Sequence, residues 1–122
     1  MLNWEETEPL VILDTADQPE CPDYFEHNGW YYLIYGIRGQ AHYFMSREPF
    51  GPWEAPKKNI LISPDCRVPK TAKFGKDRVM AAGFFVEPPE RGYAGYVHFN
   101  EMLQQPDGTF KYVIPRELLN NI

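Results

Sequence analysis

The stretch Pro19-Glu20-Cys21-Pro22-Asp23-Tyr24-Phe25-Glu26-His27-Asn28-Gly29-Trp30-Tyr31-Tyr32-Leu33-Ile34-Tyr35 decides how the rest of the chain is read. Asn28-Gly29 sits between two aromatic-rich runs, and Asn-Gly so flanked is a strong short-range signal for a β-hairpin. Residues 23–27 therefore read as one strand and residues 30–35 as its antiparallel partner. Glu20 lies between Pro19 and Pro22, so its backbone is held extended and it is expected just ahead of the first strand, at the mouth of a cleft. Cys21 is small and easily buried, and Pro22 sets the chain's approach to the strand.

Working outward, Leu10-Val11-Ile12-Leu13 reads as a strand without a nearby hairpin partner, closed by Asp14-Thr15-Ala16-Asp17. Downstream, Gly36-Ile37-Arg38-Gly39 turns into a third strand over residues 40–46. Arg47-Glu48-Pro49-Phe50-Gly51-Pro52 then turns into a short fourth around Trp53-Glu54, and residues 59–63 read as an edge piece. Four strands joined by tight turns make a meander. After a loop at Pro64-Asp65-Cys66-Arg67 the pattern restarts: strands over 69–74, 78–85, 95–104 and 110–114, with turns at Gly75-Lys76-Asp77 and Pro106-Asp107-Gly108 and a loop over 87–92. Setting Pro22 on Pro69 superposes Tyr24-Phe25 on Thr71-Ala72, Asn28-Gly29 on Gly75-Lys76, and residues 31–35 on 78–82, a repeat of about 47 residues. The small run Ala81-Ala82-Gly83 suits a place where neighbouring sheets converge. Eight or nine strands in two sheets follow from this, and the pattern fits both a β-sandwich and a pair of propeller blades.

Composition agrees with an all-β fold. In 122 residues the chain has 16% aromatic residues, with 12 prolines and 9 glycines spread as punctuation, which favours short strands over long helices. Its 43% hydrophobic and 24% charged content is that of a globular domain. A net charge of -5 gives no basic footprint, which argues against nucleic acid and anionic membrane surfaces as partners. The apolar runs fall short of the roughly 20 residues of a membrane-spanning helix, and residues 1–6 lack the basic start and apolar middle of a signal peptide. The two cysteines, Cys21 and Cys66, read as free thiols. His27, His42 and His98 lie in separate strands or turns and do not form a zinc-type cluster.

Three short motifs carry a resemblance. Glu20-Cys21-Pro22-Asp23 resembles the Glu-Cys-Pro-Asp motif of glycoside hydrolase family 32, the five-bladed β-propellers of invertases and levanases. Ile114-Pro115-Arg116-Glu117-Leu118 is similar to the Pro-Arg-Glu-Leu that closes the propeller in that family, and Phe50-Gly51-Pro52-Trp53 resembles a blade-turn signature of the related family 43. The resemblance covers most of residues 19–119. It implies two four-stranded blades, residues 19–63 and 64–119, preceded by a lead-in over 1–18. It also implies a β-fructosidase-like segment in which Glu20 is the general acid/base. In such retaining enzymes two carboxyl groups about 5 to 5.5 Å apart divide the work: one attacks the anomeric carbon, and the other protonates the leaving oxygen and then activates water.

The family's Asn-Asp-Pro-Asn-Gly motif, which holds the nucleophile, and its Arg-Asp-Pro motif have no counterpart in these 122 residues. The resemblance thus implies the C-terminal two blades, carrying one of three catalytic carboxylates and inactive alone. Asp23, Trp30, Arg67 and Lys70 are the candidate substrate-binding residues. Asp23 would orient Glu20 or a sugar hydroxyl, Trp30 would offer an aromatic face to a sugar ring, and Arg67 and Lys70 flank the equivalent start of the second blade. A carbohydrate is the implied substrate, with no metal or cofactor. The uncovered sheet faces are expected to associate with a second copy or with further blades. The alternative reading is a non-catalytic carbohydrate-binding or structural two-sheet module.

Overall fold

The computed structural model describes residues 2–62, 66–86 and 95–120; the loops read at Pro64-Asp65 and over 87–92 lie outside these. Eight strands form two four-stranded antiparallel sheets in simple sequential order, the all-β architecture expected. The first holds β1 (Glu20–His27), β2 (Trp30–Ile37), β3 (Gln40–Ser46) and β4 (Ile60–Ile62). The second holds β5 (Cys66–Phe74), β6 (Arg78–Val86), β7 (Gly95–Gln104) and β8 (Phe110–Val113), followed by a one-turn helix α1 (Arg116–Leu119).

The turns account for the registers. Asn28 (φ 51°) and Gly29 (φ 71°) are both left-handed, which gives the two-residue type I′ hairpin that pairs His27 with Trp30. Arg38 (φ 51°) and Gly39 (φ 73°) repeat it and pair Ile37 with Gln40. At the start of each sheet the first strand is bulged. Glu20 pairs with Gly36 and Asp23 with Ile34, and in the second sheet Arg67 pairs with Phe84 and Lys70 with Ala82. Each bulge contains a left-handed residue followed by a proline, Cys21-Pro22 and Val68-Pro69, both left-handed residues at φ 51°. Pro22 and Pro69 are thus structural equivalents, as the repeat requires.

Several expectations need correcting. Glu20 is the first residue of β1 and does not precede it, because pairing resumes on the far side of the bulge; for the same reason β5 begins at Cys66. Past the first hairpin the superposition slips by one residue, since β5 and β6 are joined by three residues (Phe74 pairs with Arg78) where β1 and β2 need two. Leu10-Val11-Ile12-Leu13 is not a strand: it crosses the outer face of the first sheet as a strap, with Val11 and Leu13 turned toward Leu33, Tyr35 and Phe44. The fourth strand is Ile60–Ile62, and Trp53-Glu54 contributes a single bridge, Glu54 exchanging two 2.9 Å hydrogen bonds with Met45. Pro52 and Pro56 flank that bridge and cannot donate to a longer ladder.

The core lies between the sheets. Tyr32, Ile34, Tyr43 and Met45 of the first meet Val79, Ala81 and Met102 of the second, with Phe25, Trp30, Phe110 and Tyr112 packed around them. Tyr32 stands 4.5 Å from Phe110, centroid to centroid. Its buried hydroxyl donates to the Gly108 carbonyl (2.7 Å) and accepts from Gln104 Nε2 (2.5 Å), and the Tyr43 hydroxyl accepts from the Phe110 amide (3.2 Å). Polar tips are therefore paired across the sheets, which burial demands.

Register decides between sandwich and blades. Superposing Glu20–Gly36 on Arg67–Phe84 and Ile34–Tyr43 on Ala82–Phe99 makes the covered face of the first sheet equivalent to the outward face of the second. A sandwich related by a two-fold would make the two inner faces equivalent. Here the sheets stack head to tail, as successive blades of a β-propeller do.

Candidate functional site

The two bulged mouths open on one cleft of about 390 Å³, lined by Glu20 and Arg67 together with Asp17, Gln18, Arg38 and the backbone of Gly36 and Gly39. Glu20 and Arg67 are structural equivalents, each one residue ahead of the left-handed position, so the repeat itself sets a carboxylate and a guanidinium at corresponding places on neighbouring sheets. Both side chains are exposed. Among the described residues no ion pair holds either of them.

Asp17 and Arg38 were not singled out from sequence. Arg38 Nη2 lies 2.7 Å from Asp17 Oδ2, which also accepts from the Thr15 hydroxyl at 3.0 Å. The Arg38 hydrogen bond, then that of Thr15, holds the Asp17 carboxyl below its usual range, so it is ionised at neutral pH. This pair fastens the strap to the β2–β3 turn directly beside Glu20. The available signal was register: pairing Glu20 with Gly36 puts the next turn, and so Arg38, just past the mouth of β1.

Two of the candidate ligand-binding residues are engaged between the sheets behind the cleft. Asp23 Oδ2 accepts from the Thr71 amide (2.7 Å) and hydroxyl (2.6 Å), and Lys70 Nζ donates to the carbonyls of Pro22 (2.7 Å) and Cys21 (3.4 Å). They fix the position of β5 against the bulge that carries Glu20. Trp30 lies at the other end of the hairpin, paired with His27, roughly 20 Å from Glu20 at about 3.3 Å per residue along the unbulged partner strand. There its ring is covered by the Arg47 guanidinium at 3.6 Å. Tyr24 donates its hydroxyl to the Pro49 carbonyl (2.9 Å) and stacks on Tyr31, away from the Glu20 cleft. Neither Trp30, the expected sugar-stacking ring, nor Tyr24 therefore flanks Glu20.

Trp53 meets Tyr24 edge to face, and its buried Nε1 has no hydrogen-bond partner among the described residues. Cys21 is a free, half-buried thiol; the Cys66 side chain lies outside the described residues. No group of three or more His, Cys, Asp or Glu side chains among the described residues is placed to hold a metal ion. At the far end, Glu117 of the Pro-Arg-Glu-Leu segment pairs with Arg78 (2.6 Å), which also makes two hydrogen bonds to Glu101 (2.9 and 2.8 Å). Glu117 thus pins the one-turn helix to the second sheet.

What the arrangement offers chemically is an exposed carboxylate and guanidinium facing one open cleft, beside a second carboxylate neutralised by its own arginine. Neutral, hydroxyl-rich molecules suit such a mixture of donors and acceptors better than hydrocarbon does.

No family model matches the chain, and no curated protein matches it. Solved structures do. A glycoside hydrolase matches at 25% identity with a TM-score of 0.68, over 83% of this chain and 26% of its own. An endo-1,4-β-xylanase from Bacteroides thetaiotaomicron matches at 19% identity and a TM-score of 0.67, over 80% of this chain and 38% of its own. A thermostable family-43 glycoside hydrolase matches at 17% identity and a TM-score of 0.66, over 90% of this chain and 40% of its own. The chain spans between about a quarter and two fifths of the length of these structures. The likeness falls on family-43 glycoside hydrolases, the family that Phe50-Gly51-Pro52-Trp53 resembles, where Glu20-Cys21-Pro22-Asp23 and the Pro-Arg-Glu-Leu segment pointed to the related family 32. Among the described residues the chain builds two stacked four-stranded sheets, a fold it shares with parts of these glycoside hydrolases.

Proposed function

We propose that the chain is a portion of a glycoside hydrolase in which residues 19–63 and 64–119 are successive blades and Glu20 is the general acid/base. The observation that carries this reading is the position of Glu20. It opens the first strand of its sheet, held by a bulge and faced by Arg67 across an open cleft, in a fold shared with glycoside hydrolases. In hydrolysis Glu20 gives its proton to the leaving glycosidic oxygen and afterwards takes one from water. Arg67 binds substrate hydroxyls, while Asp23 and Lys70 act indirectly by locking β5 against the Glu20 bulge. The remaining two catalytic carboxylates come from outside these residues, so the chain alone is inactive.

The motifs speak for fructosides. The structures it resembles include a xylanase and a xylan β-1,4-xylosidase, which speak for xylose-containing glycans. The experiment is hydrolysis of sucrose, levan, xylan and aryl glycosides by this chain and by the longest reading frame that contains it, each with a Glu20→Gln variant. The expected result is activity in the longer protein that Glu20→Gln lowers by roughly 10²- to 10⁴-fold, with least loss on aryl glycosides whose leaving groups need no proton. A loss under about tenfold, uniform across leaving groups, removes Glu20 from the acid/base role. Sugar binding without hydrolysis in either protein would support the non-catalytic module, which is favoured by one feature: the second carboxylate in the cleft, Asp17, is tied up by Arg38.

A further inference from the structure

At the mouth of the first sheet the chain closes on itself in a small ring. Glu20 pairs with Gly36, and two residues beyond Gly36 lies Arg38, whose Nη2 is 2.7 Å from Asp17 Oδ2. From Asp17 the chain returns through Gln18 and Pro19 to Glu20, so the ring is held by one strand pairing and one ion pair. Its return arm is stiff. Pro19 fixes its own φ and confines Gln18 to extended conformations, so few soft dihedrals separate Asp17 from Glu20 and a shift of one is passed to the other.

Asp17 is anchored on its far side as well. Its Oδ2 accepts from the Thr15 hydroxyl (3.0 Å), its amide donates to Thr15 Oγ1 (3.1 Å), and the Thr15 amide donates to the carbonyl of Leu13, which is seated against the first sheet. Glu20 has less support in the other direction: the chain enters the bulge at Cys21, and pairing resumes only at Asp23. Its carboxyl is exposed, and no ion pair among the described residues holds it. We propose that Arg38 is a positioning residue for Glu20: through Asp17 it holds the stiff arm that leads into Glu20, and so sets how that carboxyl faces Arg67 across the cleft. The inference rests on the acid/base reading of Glu20 and gives the occupied Asp17 a use within it. The Arg38 side chain is 75% exposed, so the pair adds little to stability, and its loss is felt at Glu20 before it is felt in an unfolding curve.

Two measurements on Arg38→Gln and Arg38→Lys test this. In this chain, backbone 15N relaxation should give order parameters of about 0.85 at Gln18 and Glu20 in the wild type and in Arg38→Lys, falling toward about 0.6 in Arg38→Gln. In the longest reading frame that contains the chain, Arg38→Gln should lower kcat roughly tenfold on glycosides with poor leaving groups and hardly at all on those with good ones. KM should stay nearly constant, and Arg38→Lys should recover most of the loss. Glu117→Gln, which breaks an ion pair at the far end of the fold, should do neither, because lost stability does not distinguish leaving groups. Order parameters unmoved by Arg38→Gln overturn the proposal, as does a loss equal across leaving groups. A loss confined to KM overturns it in favour of a direct substrate contact. Glu20→Gln is measured beside these variants: if it spares activity, the acid/base reading falls, while the order parameters still decide whether Arg38 holds Glu20 in place.

Discussion

At the mouth of the first sheet Glu20-Cys21-Pro22 adopts the same backbone as Arg67-Val68-Pro69 at the mouth of the second: a bulge, a residue at φ 51°, then proline. The side chain ahead of the bulge changes sign between the two. Behind the mouths the pattern is the same. Tyr32, Ile34 and Tyr43 fill the interface from one side, and their equivalents Met80, Ala82 and Phe99 point away from it. The comparison teaches that the repeat is a rule about backbone and face. Chemistry and burial are then assigned sheet by sheet, and the cleft between the two mouths carries opposite charges at two equivalent positions.

The sharpest way to break this comparison is to truncate an equivalent pair. Tyr43→Ala should destabilise the fold by roughly 3 to 5 kcal/mol, since it empties a fully buried site and orphans the Phe110 amide. Phe99→Ala should cost under about 1 kcal/mol, because its side chain is already largely in water. Urea denaturation of the two variants at one low protein concentration measures both. Equal losses would mean that the outward face of the second sheet is covered in the monomer, contrary to the head-to-tail stack.

A slightly smaller effect is expected at Gly108, in the turn that joins β7 to β8. A Cβ there would lie 2.5 Å from the Trp30 ring and 2.8 Å from Met45 Cε, on a backbone at φ 85°. Gly108→Ala should cost roughly 2 to 4 kcal/mol from overpacking and left-handed strain together. Gly75→Ala, in the β5–β6 turn at φ 68° with open space around it, should cost about 1 kcal/mol, the strain alone. Thermal unfolding of the two variants separates the packing contribution from the conformational one.

These contrasts also explain what was legible in the sequence. Asn28-Gly29 and the paired prolines, Pro22 and Pro69, act through local backbone geometry, and local geometry is what a sequence writes directly. The one-residue slip after the first hairpin was hidden because Gly75-Lys76-Asp77 and Asn28-Gly29 are both acceptable turns whose lengths differ by one. The fourth strand was misplaced because Trp53-Glu54 has strand-like side chains, and only the two flanking prolines argue against a ladder there. At the cleft, Glu20 could be named from the Glu-Cys-Pro-Asp resemblance and Arg67 from its equivalent place in the repeat. Asp17 and Arg38 could not, since their meeting depends on the strap folding back over the first sheet. Asp23 was named as a ligand-binding residue from its nearness to Glu20 in the chain, and Lys70 from its place at the equivalent start of the second sheet; their contacts with Thr71, Cys21 and Pro22 required knowing how the sheets stack.

Asp23 and Lys70 are themselves equivalents and offer a subtler test. Asp23→Ala leaves the half-buried Thr71 amide and hydroxyl without their acceptor and should cost roughly 1 to 3 kcal/mol. Lys70→Met keeps the aliphatic stem and surrenders an exposed ammonium contact, so a loss under about 0.5 kcal/mol is expected. A double-mutant cycle with Thr71→Val should recover the hydroxyl's share of the Asp23 loss as coupling, the amide's share remaining in both backgrounds. Additive losses would remove the Thr71 hydroxyl from the brace between the sheets.

The smallest effect separates the sheets by pH. In the first sheet burial pushes the His27 and His42 imidazoles below their usual value, and Asn28 Nδ2 donates to His27 Nε2 at 3.1 Å, so that nitrogen carries no proton. As pH falls through about 6.5 the unfolded chain takes up protons that these folded imidazoles refuse, so stability declines until their lower folded values are reached. In the second sheet hydrogen bonding from Arg78 holds the exposed Glu117 carboxyl down at about 2. Its contribution is complete above the ordinary glutamate value of about 4.3 and is lost as pH falls toward 2. Two descending steps are therefore expected in a stability profile from about pH 8 to about pH 2, the upper from the buried imidazoles of the first sheet and the lower from Glu117 together with Asp17 and Glu26. His27→Gln should shrink the upper step, His42 supplying the rest, and spare the lower; Glu117→Gln should shrink the lower step and spare the upper. Because Glu117 is largely in water and screened, its step should shrink in high salt, whereas the step set by burial of the imidazoles should persist.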